Sequence, residues 1–240
     1  MGRYRLLLFV LILVSAPRLS AQSELWSRAA ALAAQSHDLV PGTLTSVVAE
    51  LNGDGTPKST IEMTMSMTYD SRGAVEKTEI VQAIRDGKDV TEEMRANAEK
   101  SGRPGGGQGN AWVGFSGMLF TPETAKKIHF LPDVRSVHRG DRTYQVVAFE
   151  IGVNLLAKLK GTAEIDPQTG VPSIVHAAGQ MPFVRDLSMT MTYSPFPSGG
   201  FVLTTLEFGG SVTIPFRKGG FRGSLTFSDY QRVGVSSAEK

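Results

Sequence analysis

Ser59-Thr60-Ile61-Glu62-Met63-Thr64-Met65-Ser66-Met67-Thr68-Tyr69 alternates apolar and polar residues along its length. A period of two is that of an extended strand, whose successive side chains point to opposite faces. Ile61, Met63, Met65, Met67 and Tyr69 share one face, and Thr60, Glu62, Thr64, Ser66 and Thr68 the other. One buried and one wet face is the arrangement of an antiparallel sheet. The flanking segments agree. Asn52-Gly53-Asp54-Gly55 is a strong hairpin signal, leading back to a strand over Thr43–Leu51. Asp70-Ser71-Arg72-Gly73 turns forward into a third strand, Val75–Ile84.

The second half of the chain repeats this pattern. Candidate strands are Val134–Val137, Arg142–Gly152, Leu156–Ile165, Ser173–Ala178 and Val184–Tyr193. Phe201–Phe208, Val212–Phe216 and Phe221–Tyr230 complete the series. Asp166-Pro167-Gln168-Thr169-Gly170 is a turn in which proline pre-sets one torsion and glycine accepts a positive φ. Ser198-Gly199-Gly200 and Lys218-Gly219-Gly220 are read as further turns. About ten strands at short spacing argue for a curved sheet or partly closed barrel.

Helices are few. Ser23–Ser36 is amphipathic, with Ser23 as a candidate cap, Leu25, Ala29 and Leu32 on one face and Trp26, Ala30 and Ala33 beside them. Pro41-Gly42 is read as its end. Asp89–Lys100 is a charged helix capped by Asp89 or Thr91, and Pro122–Ile128 a short one with proline in its first turn. Gly102–Asn110 holds five glycines and a proline in nine residues, the composition of a flexible loop.

Arg3 and Arg5 precede the unbroken apolar run Leu6–Val14, and Leu19-Ser20-Ala21 offers a small-residue cleavage site. This is the plan of a secretory signal peptide, too short to span a bilayer as a helix. Residues 1–21 are therefore expected to be removed, leaving residues 22–240 as one β domain in the periplasm. Loss of Arg3, Arg5 and Arg18 shifts the net charge from +2 to −1, so no basic surface for nucleic acid is expected. The chain has no cysteine, which excludes disulfides, thiolate nucleophiles, a lipid anchor and cysteine metal sites.

Catalytic constellations are missing from the motifs. The Gly102 loop lacks the Lys-Ser/Thr ending that cradles a phosphate. Gly114-Phe115-Ser116-Gly117 lacks the glycine spacing of a nucleophile elbow. Asn52–Gly55 resembles part of a calcium loop, but position 63, where the bidentate glutamate belongs, is methionine. His37, His129, His138 and His176 show no zinc-helix spacing. The chain is accordingly read as a non-enzyme, with no cofactor and no metal.

Methionine placement is the unusual feature. Met63, Met65 and Met67 line one strand face, Met189 and Met191 another, and Met118 and Met181 are available to extend it. Methionine is flexible and polarizable and suits surfaces that fit varied apolar partners. An ordinary core that uses methionine is the plain alternative. Alternate thioethers with a histidine nearby are also soft ligands for Cu(I). Met63–Tyr69 (MTMSMTY) and Ser188–Tyr193 (SMTMTY) are nearly the same strand, as either an internal duplication or two strands facing one cavity would produce.

Gly161-Thr162-Ala163-Glu164-Ile165-Asp166-Pro167-Gln168-Thr169-Gly170-Val171-Pro172, then Met189–Tyr193 and Phe227-Ser228-Asp229-Tyr230, follow one another in the last third. In these segments the chain resembles the periplasmic lipoprotein-carrier superfamily, the LolA/LolB-like proteins. The resemblance implies an α+β fold: a strongly curved antiparallel sheet forming a half-open barrel, with short helices over its concave face. It further implies a monomeric soluble carrier whose cavity takes lipoprotein acyl chains or lipid, with envelope proteins as donor and acceptor. Trp26, Met63, Met65, Met67, Met189 and Met191 are the expected cavity residues. The rival is a non-catalytic envelope scaffold with a filled core.

Overall fold

The structure is a computed structural model that describes residues 21–71, 73–100, 119–154, 157–181, 184–214 and 217–234. The segment expected to direct export and the glycine-rich loop read from the sequence fall outside them, apart from Ala21. Among the described residues the first element is helix α1, residues 21–35. Eleven strands follow among the described residues: β1 Leu39–Leu51, β2 Pro57–Tyr69, β3 Val75–Arg85, β4 Lys88–Asp89, β5 Ile128–Arg139, β6 Arg142–Asn154, β7 Ala157–Ile165, β8 Pro172–Met181, β9 Val184–Pro195, β10 Phe201–Ile214 and β11 Arg217–Arg232. Helices α2, Thr91–Lys100, and α3, Pro122–Ala125, lie between β4 and β5. Among the described residues, no helix is long and apolar enough to cross a membrane.

All strands belong to one antiparallel sheet in the order β4-β3-β2-β1-β11-β10-β9-β8-β7-β6-β5. Every neighbour is a sequence neighbour except β1 and β11, which close the chain's two ends against each other over twelve paired positions. The outermost strands β4 and β5 do not pair, so the curved sheet is a half-open barrel. α1 packs on its inner face through Leu25, Trp26, Ala29 and Ala33, all buried.

Curvature has local causes. Three phenylalanines stand directly opposite glycines on the neighbouring strand: Phe149 and Gly161, Phe208 and Gly223, Phe221 and Gly210. A Cβ on Gly161 would lie 2.7 Å from the Phe149 ring, and one on Gly223 would lie 2.8 Å from that of Phe208. Each ring therefore lies across the space its partner leaves, a pairing that lets sheets bend inward. Asp186 and Asp229, at φ 52° and 55°, add kinks in β9 and β11, a conformation aspartate tolerates better than most residues.

Several boundaries differ from the sequence reading. Pro41-Gly42 does not end the helix but lies inside β1. Proline is tolerated there because the ladder is irregular, with Gly42 facing the kinked Asp229 at close range. Phe201–Phe208 and the described part of Val212–Phe216, up to Ile214, are one strand, and Lys218-Gly219-Gly220 lies within β11 rather than in a turn. The Phe221 ring covers Gly210 in β10, and Gly219 and Gly220 are held by Leu51 of β1 and by pairing with β10. The Pro122 helix stops at Ala125, because Ile128, His129 and Phe130 pair with β6.

The edge of β3 is sealed by α2. The Arg95 guanidinium donates to the Ile80 and Val81 carbonyls at 2.8 and 3.2 Å, and the Ala83 N–H donates to the Thr91 hydroxyl at 2.9 Å. Side chains thus occupy backbone groups that would otherwise recruit another strand.

Candidate functional site

The inner face is set by register. Met63, Ser46, Leu225, Leu206, Met191, Val175, Ala163 and Val147 form one row across the sheet. Ile61, Val48, Gly223, Phe208, Met189 and Ala177 form the next. The methionines of β2 and β9 thus look onto the same inner face, as the near-repeat in the sequence allows.

That face has a closed end and an open end. The closed end carries the turns at 140–141, 166–171 and 196–200, and α1 is tied to it. Arg28 donates to the Pro167 and Gln168 carbonyls at 2.9 and 2.5 Å. Gly200, at φ +76°, lets the 196–200 turn come up against the helix end, where a Cβ would lie 2.9 Å from the Leu32 carbonyl. Beneath the helix sits an aromatic cluster. Trp26 lies 4.6 Å from Phe120, 5.2 Å from Phe149 and 5.9 Å from Phe130, measured between ring centres. Phe120, Tyr193 and Phe201 continue it edge to face at 5.4 to 5.8 Å, spacings favourable to aromatic pairs.

The six residues singled out from the sequence divide between the two ends. Trp26, Met67 and Met191 are 1%, 4% and 0% exposed and form part of the packed core. Met63, Met65 and Met189 are half-buried. Beside them stand Leu206, Phe208, Phe221 and Leu225, also half-buried. The sequence reading missed these four. The alternation of Leu206 with Phe208 carried the signal for two of them; Phe221 and Leu225 lay in the strand read over Phe221–Tyr230 but were not assigned to the lining. Met118 lies outside the described residues.

Polar groups on this face are few and paired mainly within it. The Tyr69 hydroxyl donates to the Pro41 carbonyl at 2.8 Å and approaches the Met67 sulfur at 3.5 Å. The Tyr193 hydroxyl approaches the Met191 sulfur at 3.6 Å. Burial pushes both phenols well above the ordinary tyrosine range. The Trp26 indole N–H is buried with no acceptor among the described residues.

The histidines do not join the methionines. His176 stands on the outer face with its Nδ1 3.1 Å from the Thr190 hydroxyl, and His37 contacts the Ala34 carbonyl at the end of α1. His129 pairs with Glu150 in register and His138 lies next to the 140–141 turn, both exposed. The trigonal copper site considered from sequence is therefore not assembled among the described residues. What the face offers chemically is a half-exposed apolar lining grading into a dry core.

Compared with family models the chain matches none, and it matches no curated protein. Among solved structures it is similar to a LolA superfamily protein from Nitrosomonas europaea, at 12% identity over 92% of this chain and 94% of that one, with a TM-score of 0.37. It is also similar to a putative outer membrane lipoprotein-sorting protein domain from Vibrio parahaemolyticus, at 12% identity over 82% and 87%, TM-score 0.32. A third is a DUF1329 family protein from Desulfovibrio piger, at 10% identity over 92% and 95%, TM-score 0.37.

Proposed function

We infer that this chain is an exported, non-catalytic carrier that holds a hydrophobic ligand against the open end of the inner face. The observation that supports this reading is the lining itself. Met63, Met65 and Met189 lie half-buried on the same face as Leu206, Phe208, Phe221 and Leu225, with Ser46 between Met63 and Leu225. A face that continues the core yet stays half-exposed is completed by an apolar partner. The flexible thioethers suit cargo of variable shape.

The ligand class is an acyl chain, free as lipid or attached to a lipidated protein passed between envelope partners. Binding would draw on burial of apolar surface, at about 25 cal/mol per Å². The closed end acts as the floor: Met67, Met191 and Trp26 are already packed and limit how deep a chain can run.

The test is native mass spectrometry of the chain purified from an envelope extract, with lipid analysis of what is released. Bound acyl species lost on Met65→Asp, with the circular dichroism spectrum unchanged, would support the carrier. A ligand-free protein that also ignores added lipid would leave the scaffold reading instead.

A further inference from the structure

The outer face of the sheet carries a chemically different surface. Register aligns Thr192, Thr205, Thr226, Thr45 and Thr64 in one row over β9, β10, β11, β1 and β2. Neighbouring strands lie about 4.8 Å apart, so hydroxyls repeat at that interval across five strands. The two rows beside this one line a groove of about 500 Å³. Its floor presents the hydroxyls of Ser188, Thr190, Ser224 and Thr60, with Val47 and Ala49 between them.

Two features make the groove more than a wet sheet face. Gly209 lies in its floor, where a Cβ would stand 3.7 Å from the Arg222 Cβ and 3.8 Å from the Ser188 Oγ. Any side chain there would fill the space. Glu207 and Arg222, both exposed, stand at diagonal positions on adjacent strands. Among the described residues neither side chain makes a hydrogen bond or ion pair, with the other or with any neighbour. A carboxylate and a guanidinium fork are thus left open above a floor of hydroxyls, with no net charge between them.

The geometry points to a binding site for a neutral oligosaccharide. Vicinal sugar hydroxyls donate to the two oxygens of Glu207 and accept from the fork of Arg222. The hydroxyls of Ser188 and Ser224 serve as either donor or acceptor, that of Thr190 is shared with the His176 Nδ1, and the C–H face of a ring rests on Val47. The hydroxyl repeat across the strands is of the order of one pyranose unit, so a chain of sugars would lie across the strands rather than along them. By register the hydroxyls of this site face away from Met63 and Met65, while Met189 and Phe208, which alternate with them along β9 and β10, also border the groove.

The test titrates the full chain, labelled with ¹⁵N, with a β-1,4-linked glucose tetramer and, separately, an N-acetylglucosamine tetramer. Amide shifts are expected at Ser188, Thr190, Glu207 and Arg222, with Met63 and Met65 unmoved. Arg222→Ala and Glu207→Ala should each weaken binding at least about tenfold with the circular dichroism spectrum unchanged. Absence of shifts with both tetramers at millimolar concentration would overturn the proposal. So would shifts that persist in the double variant. Glycylglycine moving these amides where the tetramers do not would show a zwitterion site instead, and overturn it equally.

Discussion

Arg232, at the end of β11, grips Asp38 through both carboxylate oxygens, at 2.5 and 2.7 Å from a single guanidinium nitrogen. Its other terminal nitrogen donates to the Ser198 hydroxyl at 2.8 Å. The pair joins residues 194 apart in the chain. It ties the turn after α1 to the last strand and to the turn between β9 and β10. Both side chains are mostly buried, at 30% and 20% exposure, so the interaction is less screened than a surface pair.

Arg232→Ala or Asp38→Ala should therefore destabilise the fold by about 2 kcal/mol, as expected on losing hydrogen bonds to a charged group. Arg232→Lys keeps the charge but loses the fork and should fall between. Urea unfolding curves check this, and equal midpoints for all three variants and the parent would refute it.

Gly161 and Gly152 offer a matched contrast. A Cβ on Gly161 would lie 2.3 Å from the His176 carbonyl and 2.7 Å from the Phe149 ring, whereas Gly152 has nothing within 4 Å. Gly161→Ala should cost about 1–3 kcal/mol through overpacking. Gly152→Ala should stay within about 0.5 kcal/mol. Thermal denaturation of the two variants separates them.

Met191 and Met63 occupy the same row, yet Met191 is fully buried and Met63 half-exposed. Met191→Ala should cost about 2–5 kcal/mol by opening a cavity. Met63→Ala should change stability by no more than about 1 kcal/mol while weakening retention of acyl ligands. If both residues proved equally important to stability, the division into closed and open ends would be wrong.

Stability should fall at both extremes of pH. Burial raises Tyr193 in the folded state, so its contribution is complete below about pH 10, the unfolded value, and is lost as pH rises beyond it. Tyr193→Phe should flatten that alkaline limb. Asp86 runs the other way. The Thr60 backbone N–H and then the Ser59 hydroxyl hold its carboxyl below the usual range. Its contribution is present above about pH 4 and is lost as pH falls through the lowered folded value. Asp86→Asn should weaken the acid limb, read from unfolding free energies across the pH range.

Strand content was legible in the sequence because alternation and turn chemistry act over a few residues. Met63, Met65 and Met67 had to share a face once Ser59–Tyr69 was extended, and Asp166–Gly170 had to turn. Errors arose where local chemistry was answered from far away. Gly219-Gly220 reads as a turn until Leu51 and Val212 pair with it, and Pro41-Gly42 reads as a break until Tyr69 and Asp229 meet it.

The sequence by itself determined that this chain forms antiparallel strands with one apolar face rich in methionine, since a two-residue period is a property of the backbone. Only the tertiary structure decided which methionines are sealed and which remain accessible. That follows from β11 pairing with β1 and from α1 lying over one end of the inner face. Exposure depends on contacts between residues more than a hundred positions apart, and no local pattern encodes them.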